Sequence, residues 1–273
     1  MKLLLFTDIH LTTPGDRIGG RDPNENFEKA LEHALERHRD AEALIVAGDL
    51  SDWGERADYE RLKARLETLP MPWRLCIGNH DDRPTFLSVF PDHADENAFV
   101  QTALPLSDAT AILLDTWGPE THAGHFCELR AAWADAAIEA ATAPVHLFLH
   151  HNPIPTRLGP MDRIMLLDHE RLANVVSRWR DKIAHIHFGH CHMPLSGTFE
   201  GVAISSHRGT NHAGWASFEE PHMLAASDLP ESYAVVFGQG MTVTKHMIEF
   251  GYQGAIRAEG SPDYADWSRD MVR

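Results

Sequence analysis

The sequence predicts an α/β protein with two sheets, and three observations predict it. Through the first eighty residues, short apolar runs alternate with amphipathic helical segments, the pattern of a parallel sheet. Beyond His80 that alternation gives way to consecutive β-like runs, which begin a second sheet. Five of the apolar runs deliver Asp, Asn or His within a few residues of their ends. Ligands of open α/β sheets bind just beyond the carboxyl ends of strands, so fold and site are read from one feature.

Residues 2–7 read as the first strand and lead into Asp8-Ile9-His10. A loop rich in Gly, Pro, Asp and Arg runs from Thr12 to Asn24. Asn24 or Asn26 then caps a helix to about His38, with Phe27, Leu31, Ala34 and Leu35 at helical spacing. The strand at 43–47 ends in Gly48-Asp49. Helix 56–68 carries Tyr59, Leu62 and Leu66 on one face and is closed by Pro70 and Pro72. The strand from Trp73 to Ile77 delivers Gly78-Asn79-His80-Asp81, where Gly78 allows a sharp turn. A short helix near 84–90 precedes β-like runs at 98–103 and 109–115, a loop at 117–125 and an Ala-rich helix at 127–142.

Strand 145–149 leads into His150-His151-Asn152 and a Pro-rich loop. Helix 168–180 leads to strand 183–188 and then Gly189-His190-Cys191-His192. Further strands are expected at 196–199, 202–206, 233–238 and 241–248, with a hairpin turn at Phe237-Gly238-Gln239-Gly240-Met241. Residues 207–232 and the polar tail from 259 read as irregular. The chain reads as one continuous domain, 1–273. Its motif-bearing core is 1–200, and a small C-terminal β-rich elaboration, a lid or an interface, follows from about 200.

Composition bounds the function. With 273 residues, 43% hydrophobic and 23% charged, the chain can build a core without staples. A net charge of −16 argues against nucleic acid and anionic membranes as partners, since both call for a basic face. It leaves a phosphate substrate open, because bound metal ions invert the local field. The three cysteines cannot all pair, which points to reduced thiols and a cytoplasmic setting. We read no signal peptide ahead of Asp8 and no apolar run long enough to cross a membrane.

Asp8, His10, Asp49, Asn79, His150, His190 and His192 supply oxygen and imidazole donors. Seven exceed the four ligands of one tetrahedral zinc and suit two divalent ions sharing a carboxylate. Such a pair clamps a phosphoryl group and holds a hydroxide for in-line attack. Mn, Fe, Zn and Co all fit these donors. His151 replaces His150 if its strand ends one residue later. The competing reading, in which Asp8, Asp49 and Asn79 cap helices and the histidines pack, leaves five strand ends in one order unexplained.

These blocks, Asp-x-His, Gly-Asp, Gly-Asn-His-Asp, His-His and Gly-His-x-His, resemble those of the calcineurin-like metallophosphoesterase family across residues 8–192. Gly-Asn-His-Asp-Asp at 78–82, His-His-Asn-Pro-Ile-Pro at 150–155, Met161-Asp162 and Gly209-Thr210-Asn211-His212 bring the resemblance nearest to bacterial class III phosphodiesterases, which act on cyclic nucleotides or glycerophosphodiesters. The resemblance implies a four-layer α-β-β-α sandwich of two mixed sheets flanked by helices. It implies one metal on Asp8, His10, Asp49 and His192, and a second on Asp49, Asn79, His150 and His190. His80 would contact the phosphate or protonate the leaving oxygen, with Asn79 also facing substrate, and Cys191 would point away from the metals. A homo-oligomer is implied as well. Hydrolysis of a small phosphodiester, a 3',5'-cyclic nucleotide or a glycerophosphodiester, is therefore expected. A phosphomonoesterase or nucleotidase of the same fold is the alternative, and a non-catalytic scaffold a further one.

His212 is expected at the substrate, and Asn152, Arg17 and Asp52 are candidates for the same role. His122 and His125 are candidates to line the cleft, whose walls would come from 12–24, 152–165 and 207–232. His146, His185 and His187 read as sheet-face residues. His33, His38, His93, His169, His222 and His246 read as surface residues.

Overall fold

Every residue of the first strand after Lys2 is buried, so both of its faces must be covered. The computed structural model, which describes residues 1–219 and 222–256, shows what covers them. β1 (Lys2–Phe6), β2 (Ala43–Ala47) and β3 (Trp73–Cys76) lie side by side and parallel, connected by α1 (Pro23–Arg37) and α2 (Arg56–Leu66). α3 (Arg83–Val89) follows β3. The second sheet opens with β4 (Thr102–Pro105) antiparallel to β5 (Thr110–Leu113). It continues through α4 (Glu128–Ala140), β6 (Val145–Phe148), α5 (Gly159–Asp162), α6 (His169–Trp179) and β7 (Ile183–His187), with β5, β6 and β7 parallel.

β8 (Ser196–Phe199) and β9 (Val202–Ser205) complete that sheet. β10 (Ala213–Trp215) and β11 (Ala225–Ser227) form a separate antiparallel pair. β12 (Tyr233–Gln239) and β13 (Thr242–Ile248) return to the first sheet, β12 antiparallel to β1. The strand orders are β13-β12-β1-β2-β3 and β4-β5-β6-β7-β9-β8.

Side-chain alternation then fixes the layers. Leu4, Phe6, Leu44, Val46 and Leu75 face α1, α2 and α3 through Phe27, Leu31, Tyr59, Leu62 and Phe86. Leu3, Leu5, Ile45 and Cys76 face the second sheet through Ala111, Leu113 and Phe148. Ile112, Leu147 and Ile186 face α4 and α6 through Ala134, Ile138, Leu172 and Val176. Three apolar seams separate four layers, α-β-β-α, as expected.

Several boundaries moved, each for a local reason. α1 is capped by Asp22, whose carboxylate accepts from the Asn24 and Glu25 amides, with Pro23 at the first turn. Asn24 instead donates to the Thr12 carbonyl (3.0 Å). The strand expected at 98–103 starts at Thr102, because Asp95 folds the preceding segment into a loop by accepting from the Asn97 and Phe99 amides. Residues 207–232, expected to be irregular, contain β10 and β11. The tail from 259 lies outside the described residues. The hairpin turn after Phe237 stands, with Gly240 left-handed at φ 56°.

His93 is buried and stacks on Trp73 (5.5 Å, 18°) rather than lying on the surface. His33, His38 and His169 are half-buried, while His222 and His246 are exposed. His146 and His187 are fully buried between the sheets. Among the described residues no helix is long and apolar enough to cross a membrane.

Candidate active site

The carboxyl ends of β1, β2, β3, β6 and β7 converge at one edge of the sandwich. The first sheet brings Asp8, His10, Asp49, Asn79 and His80; the second brings His150, His190 and His192. Hydrogen bonds between the sheets and within one of them lock the loops together. The His190 amide donates to Asp8 Oδ1 (3.0 Å), and the His80 amide donates to Asp49 Oδ1 (3.0 Å). Asp81, buried beside His80, accepts from the amides of Leu50, Ser51 and Gly78 and from the Tyr59 hydroxyl.

The backbone is strained where the donors sit. Asp8 (φ 51°), His10 (46°), Asp49 (49°), His190 (66°) and His192 (51°) all adopt the left-handed conformation that side chains disfavour. Such strain persists only where the surroundings over-determine it, and it clusters at functional sites. Gly78 serves a different purpose from the one its position suggests. Its φ is ordinary, but a Cβ there would strike Asp49 and the His150 ring, so it is space that the glycine supplies. Gly189 is constrained likewise by Thr7 and Asp8.

The imidazoles are aimed by hydrogen bonds at their outer nitrogens, which leaves the inner nitrogens as lone-pair donors. His10 Nδ1 donates to Asp52 Oδ1 (2.9 Å), His150 Nδ1 to the Ala47 carbonyl (2.9 Å) and His192 Nδ1 to the His212 carbonyl (3.2 Å). Nε2 of His10 and Nε2 of His192 then face each other at 3.2 Å. Two lone pairs at that distance repel unless a proton or a cation lies between them. Asp49 Oδ2 is 3.6 Å from the first nitrogen and Asp8 Oδ1 is 3.4 Å from the second. The ligand atoms of Asp8, His10, Asp49 and His192 lie within 4.8 Å of one another, and all four residues are buried. A divalent ion satisfies this donor set.

Asp49 also faces the other cluster. Its Oδ2 is 3.3 Å from His150 Nε2, which is 3.2 Å from Asn79 Oδ1. The His190 ring packs 5.1 Å from that of His150, and its Nε2 is a buried atom without a hydrogen-bond partner. His151 is also near, its ring 4.7 Å from that of His190, but its Nδ1 is bonded to Thr116 Oγ1 (2.8 Å). His150, rather than His151, meets both Asp49 and Asn79.

Burial resists charge here, yet Asp49 is held well below the usual carboxylate range by His150, while Asp49 in turn draws His150 up to about 9. Burial holds His190 well below the usual imidazole range and brings His192 to about 3. An ionised Asp49 and neutral His190 and His192 are the states that bind metal, and His150 must give up the proton that Asp49 draws onto it to join them.

His10, Asp49, Asn79, His190 and His192 floor a cleft of about 570 Å³. Its walls come from the three segments expected: Ile18; Leu158 to Ile164; and His212, Trp215 and Met223 to Ala226. His80 lines it, with Nδ1 held by the Asp52 carbonyl (3.0 Å). His212 lines it too, its ring 4.1 Å from that of His192. His122 accepts from Asn79 Nδ2 (2.9 Å), a role that no local pattern foretold. Asp52 reaches the cleft chiefly as the partner of His10. Three candidates fall away. Asn152 is buried and donates to the Ile154 carbonyl, exposed Arg17 bonds Gly20, and His125 pairs with Asp168. Cys191 is buried against the outer core, and all three cysteines are free.

The fold and these motifs define a family, and the chain belongs to it: residues 1–194 match calcineurin-like phosphoesterase. It is an enzyme of metal-dependent phosphoester hydrolysis. A probable cyclic nucleotide phosphodiesterase of Rhodopseudomonas palustris is 35% identical over 261 residues, 94% of this chain and 95% of that protein. A cAMP/cGMP dual specificity phosphodiesterase of Mycobacterium tuberculosis is 31% identical, over 74% of this chain and 65% of its own length. A glycerophosphodiester phosphodiesterase of Enterobacter lignolyticus is 26% identical over 78% of each. The crystal structure of a dimetal phosphatase from Danio rerio shares the fold, with a TM-score of 0.63 at 15% identity, covering 92% of this chain and 99% of that one.

Proposed function

We propose that the chain hydrolyses a small phosphodiester, a 3',5'-cyclic nucleotide ahead of a glycerophosphodiester, at two divalent ions. Asp8, His10, Asp49 and His192 hold one ion; Asp49, Asn79, His150 and His190 hold the other. The observation that carries this reading is Asp49 Oδ2, which faces His10 Nε2 and His150 Nε2 at 3.6 and 3.3 Å and so belongs to both donor sets. When bound, such ions neutralise phosphoryl oxygens and acidify a water.

The chain's own residues do the rest. Asn79 and His212 border the phosphoryl position and orient the diester. His80, as the imidazolium, passes a proton from Nε2 to the departing oxygen and keeps the one on Nδ1, which the Asp52 carbonyl holds. The cyclic-nucleotide preference is supported by the relatives' activities and by a cleft large enough for a nucleotide-sized ligand.

The test is turnover of bis(p-nitrophenyl) phosphate and of p-nitrophenyl phosphate with Mn²⁺. The diester should be preferred. His80→Ala should lower kcat on the diester by about 10²-fold or more, as losing a proton donor does, while metal content stays at the wild-type level. Full turnover by His80→Ala would remove His80 from the mechanism. A preference for the monoester would make the enzyme a phosphomonoesterase.

A further inference from the structure

The cleft has two unlike halves. One is the cluster of histidines and carboxylates. The other is an apolar arm formed by Met161, Ile164, Met193, Trp215, Met223 and Leu224. Trp215, Met223 and Leu224 are 53, 62 and 59% exposed, a concentration of bare apolar surface that soluble proteins reserve for recognition. Among the described residues lining this arm, Arg163 is the one charged side chain, and no carboxylate faces it.

The arm is tied to the metal-binding half. The Gly214 amide donates to the His192 carbonyl (2.7 Å), and His192 Nδ1 donates to the His212 carbonyl (3.2 Å). A Cβ on Gly214 would strike the Cys191 carbonyl and Met193, so β10 lies directly on the loop that carries His190 and His192. Trp215 is the next residue. Its distance from the phosphoryl position is therefore set by the same backbone that sets two of the donors.

We infer that this arm is a subsite for the flat face of a nucleobase, with Trp215 as its stacking platform and the methionines as adaptable sides. The inference deepens the phosphodiesterase reading and rests on it. An aromatic platform accepts every base because every base has a π-face, and thioethers pack well against aromatic edges. Few donors or acceptors face the arm, so adenine and guanine are distinguished weakly. A diester whose alcohol is small and charged, such as glycerophosphoethanolamine, leaves the arm unfilled and gains nothing from it.

The test compares wild type, Trp215→Ala and Trp215→Phe in the full chain loaded with Mn²⁺. Turnover of cyclic AMP, cyclic GMP and glycerophosphoethanolamine is measured, and cyclic AMP binding is followed separately by calorimetry with Ca²⁺ in place of Mn²⁺. Trp215→Ala should raise KM for both cyclic nucleotides about tenfold, within the range seen when base-stacking aromatics are removed, with little change in kcat. The preference for cyclic AMP over glycerophosphoethanolamine should fall by the same factor, and Trp215→Phe should recover most of it. Equal losses on all substrates, or no loss, would overturn the subsite. If wild type turns over no diester but binds cyclic AMP through Trp215, the proposed reaction fails and the subsite stands. If it neither binds nor hydrolyses cyclic AMP, both fail.

Discussion

His122 shows how much of this site is decided one hydrogen bond at a time. Asn79 has two chemically opposite ends, and only its oxygen can ligate a cation. His122 accepts from Nδ2 at 2.9 Å, which leaves Oδ1 turned toward His150 Nε2 at 3.2 Å. Replacing His122 with Phe removes the acceptor while keeping a ring in the loop. We expect the second Mn²⁺ to bind about 10-fold more weakly and the first to bind as before, with His122→Gln restoring most of the loss. Mn²⁺ titration followed by electron paramagnetic resonance separates the two events; an unchanged second affinity in His122→Phe would refute the role. At this scale the sequence named donors that the fold brings to one edge of the sandwich. It was poor on their support: Asp52 behind His10 and His122 behind Asn79 are 42 and 43 residues away in the chain. Local patterns are blind to pairs that only the folded sandwich creates.

Elements were legible where period and punctuation agree. The parallel strands β1, β2, β6 and β7 are runs of largely buried residues ended by Asp-x-His, Gly-Asp, His-His or Gly-His, and each begins and ends within a residue or two of expectation. The helices α1, α2 and α6 follow their apolar stripes. The misses came where side chains redirect the backbone. Asp95 builds a turn that delays β4, and Asp22 takes over the cap expected of Asn24. β10 and β11 lack a period-2 signal altogether, because each is three residues long and contains small residues. Their pairing is set by docking on the His192 loop. That is why the segments that wall the apolar half were legible in the chain but the surface they build was not.

For the whole molecule, the space between the sheets holds an unusual load. His146, His187 and His207 are buried there, with His146 Nδ1 and His187 Nε2 3.2 Å apart. Burial lowers the pKa of all three, His146 to about 4, and among the described residues no carboxylate hydrogen-bonds them; Lys245 and Arg208 add repulsion to any positive charge on His207. In the unfolded chain these rings titrate near 6.5, so between about 6.5 and 4 the unfolded state binds more protons than the folded one. Stability from this cluster is therefore complete above about pH 6.5 and is lost progressively as the pH falls toward 4. Urea midpoints of metal-stripped protein at pH 7.5, 6 and 5 should decline in that order. His187→Phe, beside Phe148, should flatten the decline; an identical slope in the variant would place the acid sensitivity elsewhere.

The same scale holds the claim on which the rest depends, that two sheets bring their strand ends together around a pair of ions sharing Asp49. The most direct measurement is elemental analysis of Mn²⁺ per chain after loading and desalting, on wild type and Asp49→Ala. About two ions per wild-type chain are expected, and both should be lost in the variant, because each donor set loses a member and the two halves lose their bridge. One ion or none in the wild type, or two retained without Asp49, would contradict that claim.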